Sequence, residues 1–203
     1  MKISYAITVC NELDELKRLI EFLLLHKRIE DEIVIVWDQK EENEEVVAYL
    51  QATNQNFSGF DFRGDFSDLK NFTNHMCKGD FIFQIDADEM PNEQMIHALP
   101  DLLEANPKVD VFCVPRINTV SGLTLEHIDK WRWRVDEQGR VNFPDYQWRL
   151  YRRNVDIRWK NKVHEVLDGY SVMTQLPPEL EWCLFHHKTI EKQEQQNNYY
   201  NTL

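Results

Sequence analysis

Two aspartates one residue apart, Asp86 and Asp88, are the part of this 203-residue sequence that most directly suggests chemistry. They follow an apolar run at residues 81–85, so both carboxylates should project from the end of a buried strand. In this arrangement both can reach a hard cation such as Mg²⁺ or Mn²⁺, and the small Ala87 between them lets a ligand approach the backbone. Such a cation would bridge two phosphate oxygens and stabilise a departing diphosphate.

The Asp-x-Asp motif is short and matches many sequences by chance, and aspartates at strand ends are often only solvated. Its meaning therefore depends on the elements around it. Strand-like and helix-like segments alternate through the first half of the chain, which predicts an α/β domain with a mainly parallel sheet. Strands are expected at residues 3–9, 32–37, 57–62, 81–85 and 109–114, the last ended by Pro115. Helices are expected at residues 13–24, 41–51, 68–77 and 91–104.

Ligands of an open α/β sheet bind beyond the carboxyl ends of the strands. Glu12, Asp38 and the pair Asp86 and Asp88 each come at or just after the end of a predicted strand. We therefore expect these acidic side chains to meet at one edge of the sheet.

The string at residues 80–89, DFIFQIDADE, resembles the central motif of family 2 glycosyltransferases with the GT-A fold. Residues 8–12 are similar to the turn in which that family contacts the nucleotide. Asp38 resembles the aspartate that meets the base, commonly uracil. Lys70 and Asn71 resemble an Arg-Asn pair of the family, although lysine loses the bidentate geometry of arginine. The resemblance covers about residues 1 to 120 and weakens beyond.

The resemblance implies a single GT-A domain over residues 1–203, a mostly parallel Rossmann-like sheet flanked by helices. Residues 1–120 would form the nucleotide-sugar-binding half, and residues 121–203 the acceptor-binding half with a C-terminal helix over about residues 189–202. The residues it implies for nucleotide-sugar binding are Thr8, Asn11, Glu12, Asp38, Lys70, Asp86, Ala87 and Lys188.

An inverting transferase needs a carboxylate that takes the proton of the acceptor hydroxyl. Residues 163–166, in a predicted strand at 163–167, resemble a Val-His-Glu segment of some family 2 enzymes, so Glu165 is the first candidate and Asp145 the second. In the alternative interpretation, Glu165 only pairs with a nearby basic residue.

His186 and His187 follow a strand-like run at residues 182–185 and resemble the point where GT-A enzymes often supply a histidine to the metal. The implied metal ligands are Asp86, Asp88 and His186, with His187 as the alternative histidine. Imidazole favours Mn²⁺ over Mg²⁺. Lys188 could neutralise a phosphate. Two surface histidines at the start of a tail helix are the other interpretation.

Composition excludes several classes of protein. The formal net charge of −12 argues against binding to nucleic acid or anionic membranes. The apolar run at residues 1–10 is too short for a signal peptide or a membrane span, which predicts a cytoplasmic protein. The four cysteines are far apart, without a CxxC pair, which predicts reduced and mostly buried thiols. A homo-oligomer is compatible with the sequence.

These features favour a metal-dependent glycosyltransferase that moves one sugar from a UDP-sugar to a hydroxyl of a carbohydrate or glycolipid acceptor. The Gln-x-x-Arg-Trp motif of processive synthases is absent, which favours single-sugar transfer. A haloacid dehalogenase-type phosphatase would need Thr or Val where Met90 stands, and a nucleotidyltransferase would need a Gly-rich phosphate loop. A nucleotide- or sugar-binding module without catalysis remains the alternative, and turnover separates it from an enzyme.

Overall fold

The structure is a computed structural model that describes residues 1–39 and 43–200. Strands and helices alternate through its first half, as predicted. In chain order the elements are β1 (Ile3–Val9), α1 (Leu13–His26), β2 (Glu32–Asp38), α2 (Glu44–Ala52), β3 (Asn56–Phe60), α3 (Phe66–Met76), β4 (Phe81–Asp86), β5 (Glu89–Met90), α4 (Glu93–Ala105), β6 (Val111–Ser121), α5 (Leu125–Trp131), β7 (Val141–Arg152), β8 (Arg158–Lys160), β9 (Val166–Asp168), β10 (Met173–Gln175), β11 (Leu184–Thr189) and α6 (Ile190–Tyr200).

One mixed sheet organises the described residues, in the order β3-β2-β1-β4-β7-β6-β11-β5, with β10 also pairing with β6. The pairs β1-β2, β1-β4, β2-β3, β6-β10 and β6-β11 are parallel. The pairs β4-β7, β6-β7 and β5-β11 are antiparallel. The sheet is thus mostly parallel, as expected, and it contains strands from both halves of the chain. A separate hairpin of β8 and β9 packs near α3.

Helices cover both faces of the sheet because successive strand residues point to opposite sides. On one face, Ile3, Tyr5 and Ile7 of β1 belong to the large apolar core that α1, α2 and α4 also line. On the other face, Ala6 packs with residues of β4, β7 and the β8-β9 hairpin. α3 lies on this second face. A helix on each side therefore buries the strands that carry the acidic residues to their carboxyl ends.

Side-chain caps set the starts of α3 and α4. Asp65 Oδ1 accepts hydrogen bonds from the backbone of Ser67 at 2.9 Å and Asp68 at 3.2 Å, which begins α3. Asn92 Oδ1 accepts from Met95 N at 2.8 Å and begins α4. The predictions for α2 and α6 included Glu41 and Thr202, which lie outside the described residues.

The expectation that Pro115 ends a strand is wrong, because β6 continues through it to Ser121. β10 pairs with β6 only as far as Cys113, and β11 joins it only from Arg116. Pro115 lies in the gap between β10 and β11 along the same edge of β6. No described strand pairs with that edge at Pro115, so the missing N–H of proline costs no hydrogen bond there.

Among the other strand boundaries that differ from the prediction, two affect candidate site residues. β11 contains His186, His187 and Lys188, which were expected to follow a strand. Strand β9 begins only at Val166, so Glu165 lies in the irregular segment before it rather than on a strand. Both differences change which way the candidate side chains point.

The described helices include none that is both long and apolar enough to cross a membrane. None of the four cysteines forms a disulfide, and Cys77, Cys113 and Cys183 are buried as expected.

Candidate active site

A cavity of about 780 Å³ lies where the carboxyl ends of β1, β2 and β4 meet strands β6, β7 and β11. This is the edge at which the sequence predicted a ligand site. His187 is the one candidate residue that does not contribute to its wall. The other twelve do, namely Thr8, Asn11, Glu12, Asp38, Lys70, Asp86, Ala87, Asp88, Asp145, Glu165, His186 and Lys188. A volume of this size is in the range of sites that hold a nucleotide-sized ligand.

The turn after β1 is held by its own carboxylate. Glu12 Oε2 accepts hydrogen bonds from the backbone N–H groups of Cys10 at 3.0 Å and Asn11 at 3.1 Å. No side chain caps the start of α1, so the turn's shape depends on this contact. Thr8, near the end of β1, donates to Asp86 Oδ1 at 3.1 Å and so joins the ends of β1 and β4.

Asp86 is part of a buried charge network that the sequence did not predict. Arg149 Nη2 lies 2.5 Å from both Asp86 Oδ2 and Glu89 Oε1. Arg116 Nη1 also donates to Glu89, at 2.8 Å. Glu89 and Arg149 are almost completely buried, with 0% and 3% of their side chains exposed. Such charges are tolerated away from water because each has a partner of opposite sign.

The network fixes the charge of Asp86. Burial by itself would raise the pKa of this carboxyl, but the positive charges of Arg149 and Lys70 outweigh burial and hold the pKa well below its usual range. Asp86 is therefore a carboxylate whose two oxygens already have partners, one in Thr8 and one in Arg149.

A bulge in β7 explains how Arg149 reaches this position. Phe112 of β6 pairs with Leu150, whereas the next residue, Cys113, pairs with Trp148. Arg149 is thus the extra residue of the strand, and such bulges re-aim side chains next to functional sites. The alternation of an ideal strand would not have indicated Arg149.

Asp88 also lines the cavity, but its carboxylate is surrounded by basic groups. Its Oδ2 lies 3.3 Å from His186 Nε2, 3.6 Å from Lys192 Nζ and 3.9 Å from Lys188 Nζ. Burial opposes ionisation of Asp88, but the hydrogen bond and charge of His186 and the charge of Lys188 bring its pKa below the usual range. Burial also lowers the pKa of Lys188, although Asp88 acts in the opposite direction.

A chain of hydrogen bonds orients His186 towards Asp88. Asn118 Nδ2 donates to Asp145 Oδ2 at 2.8 Å, which leaves Asn118 Oδ1 facing His186 Nδ1 at 2.7 Å. Because a carbonyl oxygen can only accept, Nδ1 carries the proton. In the neutral imidazole, Nε2 then presents its lone pair to Asp88. When Nε2 is also protonated, it donates the 3.3 Å hydrogen bond that lowers the pKa of Asp88, so either a proton or a cation can bridge the two atoms.

This donor set fits a divalent cation. An octahedral ion with bonds of about 2.1 Å places adjacent ligand atoms about 3 Å apart, close to the separation of Asp88 Oδ2 and His186 Nε2. A metal-binding histidine usually donates its other N–H to an oxygen, as His186 does to Asn118. Each oxygen of Asp86 already accepts one hydrogen bond, from Thr8 or Arg149, and keeps a second lone pair that a cation could use.

The structure separates the two candidate histidines because neighbouring residues of a strand face opposite sides. His186 and Lys188 are buried on the cavity side. His187 is exposed on the other side, where it contacts the hydroxyls of Thr119 at 2.9 Å and Ser121 at 3.1 Å.

Replacement of Asn118 by alanine should weaken Mn²⁺ binding by about 10- to 100-fold, because His186 loses the partner that fixes its tautomer. The affinity can be measured as the Mn²⁺ dependence of UDP binding. Ser121→Ala is the matched control, since it removes a contact of His187 outside the cavity wall and should leave the affinity unchanged. Equal Mn²⁺ affinity in Asn118→Ala and the native protein would contradict the role given to this chain of hydrogen bonds.

The two candidate bases differ in their contacts. Glu165 Oε1 forms an ion pair with Lys70 Nζ at 2.9 Å, and Lys70 also lies over the ring of Trp159 at 4.6 Å. Asp145 accepts four hydrogen bonds, from Arg116, Asn118 and Gln147. Burial opposes ionisation of Asp145, but Arg116 and Asn118 lower its pKa below the usual range.

Asn71, which the resemblance coupled to Lys70, has a structural role in this chain. Its side chain donates to Trp159 O and accepts from Trp159 N, both at 2.9 Å. It therefore fixes β8 against α3 and keeps Trp159 under Lys70.

Helix α6 closes one side of the cavity. Gln193, Gln196, Asn197 and Tyr199 contribute to the wall, and Gln196 accepts a hydrogen bond from Lys188 Nζ at 2.6 Å. The tail was predicted to be helical and polar, but its place over the strand ends was not.

The mixed sheet with a cavity at its carboxyl edge is a GT-A fold. The family model of Glycosyl transferase family 2 matches residues 4–175, and the chain belongs to this family. No curated protein sequence matches the chain significantly.

Solved structures of S. aureus TarS share the fold. Residues 1–349 of TarS in complex with UDP-GlcNAc match with a TM-score of 0.63 and 16% identity, over 93% of this chain and 59% of that one. The same part of TarS in complex with UDP matches with a TM-score of 0.61 and 15% identity, over 92% and 60%. This chain thus spans about three fifths of TarS 1–349. At this identity the likeness establishes the fold, and the GT-A prediction is confirmed.

Proposed function

We propose that the protein transfers one sugar from a UDP-sugar to a hydroxyl of a carbohydrate or glycolipid acceptor, with a divalent cation and with inversion at the sugar carbon. The observation that carries the proposal is the pair of Asp88 Oδ2 and His186 Nε2, 3.3 Å apart in a cavity with the other candidate residues. Family membership and the complexes of TarS with UDP-GlcNAc and UDP support the same donor class.

The nucleotide would occupy the side of the cavity formed by residues 1–120. Asp38 is placed to contact the base. The turn that Glu12 holds is placed to contact the nucleoside. Lys188 lies close enough to Asp88 to contact a phosphate that reaches the same point. Asp86, whose oxygens are engaged by Thr8 and Arg149, would act on the ribose or on a water of the cation.

Asp88 and His186 would hold the cation, and Mn²⁺ suits the imidazole better than Mg²⁺ does. A bound divalent ion would stabilise the negative charge that develops on the diphosphate. Basic groups of the protein add to this effect, since Lys188 and Lys192 both lie within 4 Å of Asp88.

Glu165 is proposed as the base and Asp145 as the second candidate. Glu165 would take the proton of the acceptor hydroxyl while that oxygen bonds to the sugar carbon and the bond to the diphosphate breaks. Lys70 positions the carboxylate. Asp145 is less suited, because its four hydrogen bonds stabilise the charged form and occupy its oxygens.

The first experiment is a panel of UDP- and other nucleotide-sugars with Mn²⁺, scored by thermal shift and by release of the nucleoside diphosphate. We expect a UDP-sugar to raise the melting temperature only with the cation, and UDP release to rise when an acceptor is present. Binding without turnover for all donors and acceptors would instead favour the non-catalytic module. Absence of any stabilisation would contradict the proposed nucleotide site.

Glu165→Gln should keep UDP binding and lower the rate of transfer by at least about 100-fold, because glutamine cannot accept the proton. Transfer is measured under saturating donor, beside Asp145→Asn and the exposed control Glu137→Gln. Normal transfer by Glu165→Gln together with a large loss in Asp145→Asn would reassign the base to Asp145.

A further inference from the structure

A second group of metal-ligating side chains lies outside the cavity, between the end of α1 and the start of α4. It consists of His26, the last residue of α1, and of Glu93 and His97, one turn apart on α4. One donor atom from each lies within 4.8 Å of the other two, and none of the three residues lines the cavity. Among the described residues this is the group of three whose donors converge in this way.

The geometry is close to that of a bound ion. Glu93 Oε1 lies 3.9 Å from His26 Nδ1 and 3.9 Å from His97 Nδ1. A tetrahedral ion with bonds of about 2.0 to 2.1 Å places its ligand atoms about 3.3 Å apart. Each of these two pairs needs to close by roughly half an ångström. The donors of His26 and His97, which lie within 4.8 Å of each other, need to close by at most about 1.5 Å, and rotation of the exposed Glu93 and His97 side chains can supply both movements.

The fold brings the three side chains to one place. Residues four apart on a helix are neighbours on its surface, so Glu93 and His97 face the same side of α4. His26 is mostly buried, with 16% of its side chain exposed, and its ring packs against Phe22 at 4.6 Å. The two imidazoles are 5.6 Å apart between ring centroids. Binding would therefore cost His26 little side-chain freedom, whereas the exposed Glu93 and His97 would each be ordered by the ion.

We propose that His26, Glu93 and His97 form a binding site for a late first-row divalent cation, with Zn²⁺ as the best fit. Two imidazole nitrogens and one carboxylate oxygen make a three-ligand zinc set, and water completes the tetrahedron. The same donors bind Mn²⁺ and Mg²⁺ much more weakly. The ion connects α1 to α4, two helices that cover the same face of the sheet. Its effect is on stability, and the site is independent of the proposed transferase function.

The test uses an Asp88→Asn background, which removes a ligand of the proposed cavity site, and ZnCl₂ as the probe. Isothermal titration should give one zinc per chain. With zinc at about 100-fold above the dissociation constant, the melting temperature should rise by roughly 5 to 10 °C. Co²⁺ should give the strong visible absorption of a tetrahedral complex.

His97→Gln in the same background should lose the bound zinc, the cobalt spectrum and the thermal shift. His75→Gln, an exposed histidine on α3, is the matched control and should keep all three. Melting curves without metal verify that both variants fold. Zinc binding that is absent in the background, or equal in His97→Gln and His75→Gln, would overturn the proposal.

Discussion

Arg149→Met should lower the melting temperature by roughly 6 to 20 °C, the range expected when loss of a buried ion-pair partner costs about 3 to 5 kcal/mol in a domain of this size. Arg149 is bonded to Asp86 and Glu89, both at 2.5 Å. Methionine fills similar space but supplies no positive charge. Among the described residues, Glu89 then keeps the ion pair with Arg116, and Asp86 keeps the Thr8 hydrogen bond and the more distant charge of Lys70. The change is measured by thermal or denaturant unfolding.

Arg158→Met is the matched control, because that arginine is exposed on the short strand β8 and should change stability little. Glu89→Gln and the double variant complete a mutant cycle. If Arg149 and Glu89 act on each other, the double variant should lose less stability than the sum of the single ones. A melting temperature of Arg149→Met equal to that of Arg158→Met would refute a stabilising network.

The network also has a consequence for the site. Arg149 keeps Asp86 ionised and fixes one of its oxygens, while Thr8 fixes the other. Both aspartates of the Asp-x-Asp motif line the cavity, but the first is held by Thr8 and Arg149, whereas the second lies among basic side chains. The two carboxylates are one residue apart, but they have different environments and different proposed roles.

The α/β architecture could be predicted because its signals are local. The leucines of α1 recur at helical spacing, and β4 is a continuous apolar run. Each pattern predicts its element without knowledge of distant residues. The acidic residues could be placed together because parallel strands end at the same edge of a sheet. These two arguments account for the predicted edge, where the cavity is found.

The second half could be predicted less well. Strands β5 and β10 contain two and three residues, too few to show an alternation, and they exist only because a partner strand is beside them. A proline after an apolar run predicts a strand end, because the sequence does not reveal the gap between the two partner strands β10 and β11. His186 and His187 could be distinguished only once β11 was known to include them.

Arg149 was missed for a different reason. A buried arginine has no sequence signal that separates it from a solvated one, and here its partners Asp86 and Glu89 are about 60 residues away in the chain. The bulge in β7 also removes the alternation that would indicate an inward side chain. Long-range charge pairing and local strand irregularity both require the three-dimensional structure.

Asp88→Asn should abolish the effect of Mn²⁺ on UDP binding and lower kcat/KM for transfer by about 10³-fold or more, because a cation that no longer binds withdraws several kcal/mol of charge stabilisation. Asparagine has nearly the same shape but no charge to offer a metal ion. Binding is measured by titration of UDP with and without Mn²⁺, and transfer by release of UDP. The exposed Asp101→Asn on α4 is the control for loss of one negative charge.

Because Asp88 is surrounded by basic side chains, the UDP affinity of Asp88→Asn and the dependence of that affinity on Mn²⁺ should change differently. When the aspartate charge is removed, His186, Lys188 and Lys192 lose the carboxylate that they surround. These groups can then attract a diphosphate directly, so some UDP binding should persist in Asp88→Asn without any metal. The decisive quantity is therefore the dependence of binding on Mn²⁺ and not the affinity alone. If Mn²⁺ strengthened UDP binding as much in Asp88→Asn as in Asp101→Asn, the cation would have to bind elsewhere, and Asp88 would serve only to organise the basic groups.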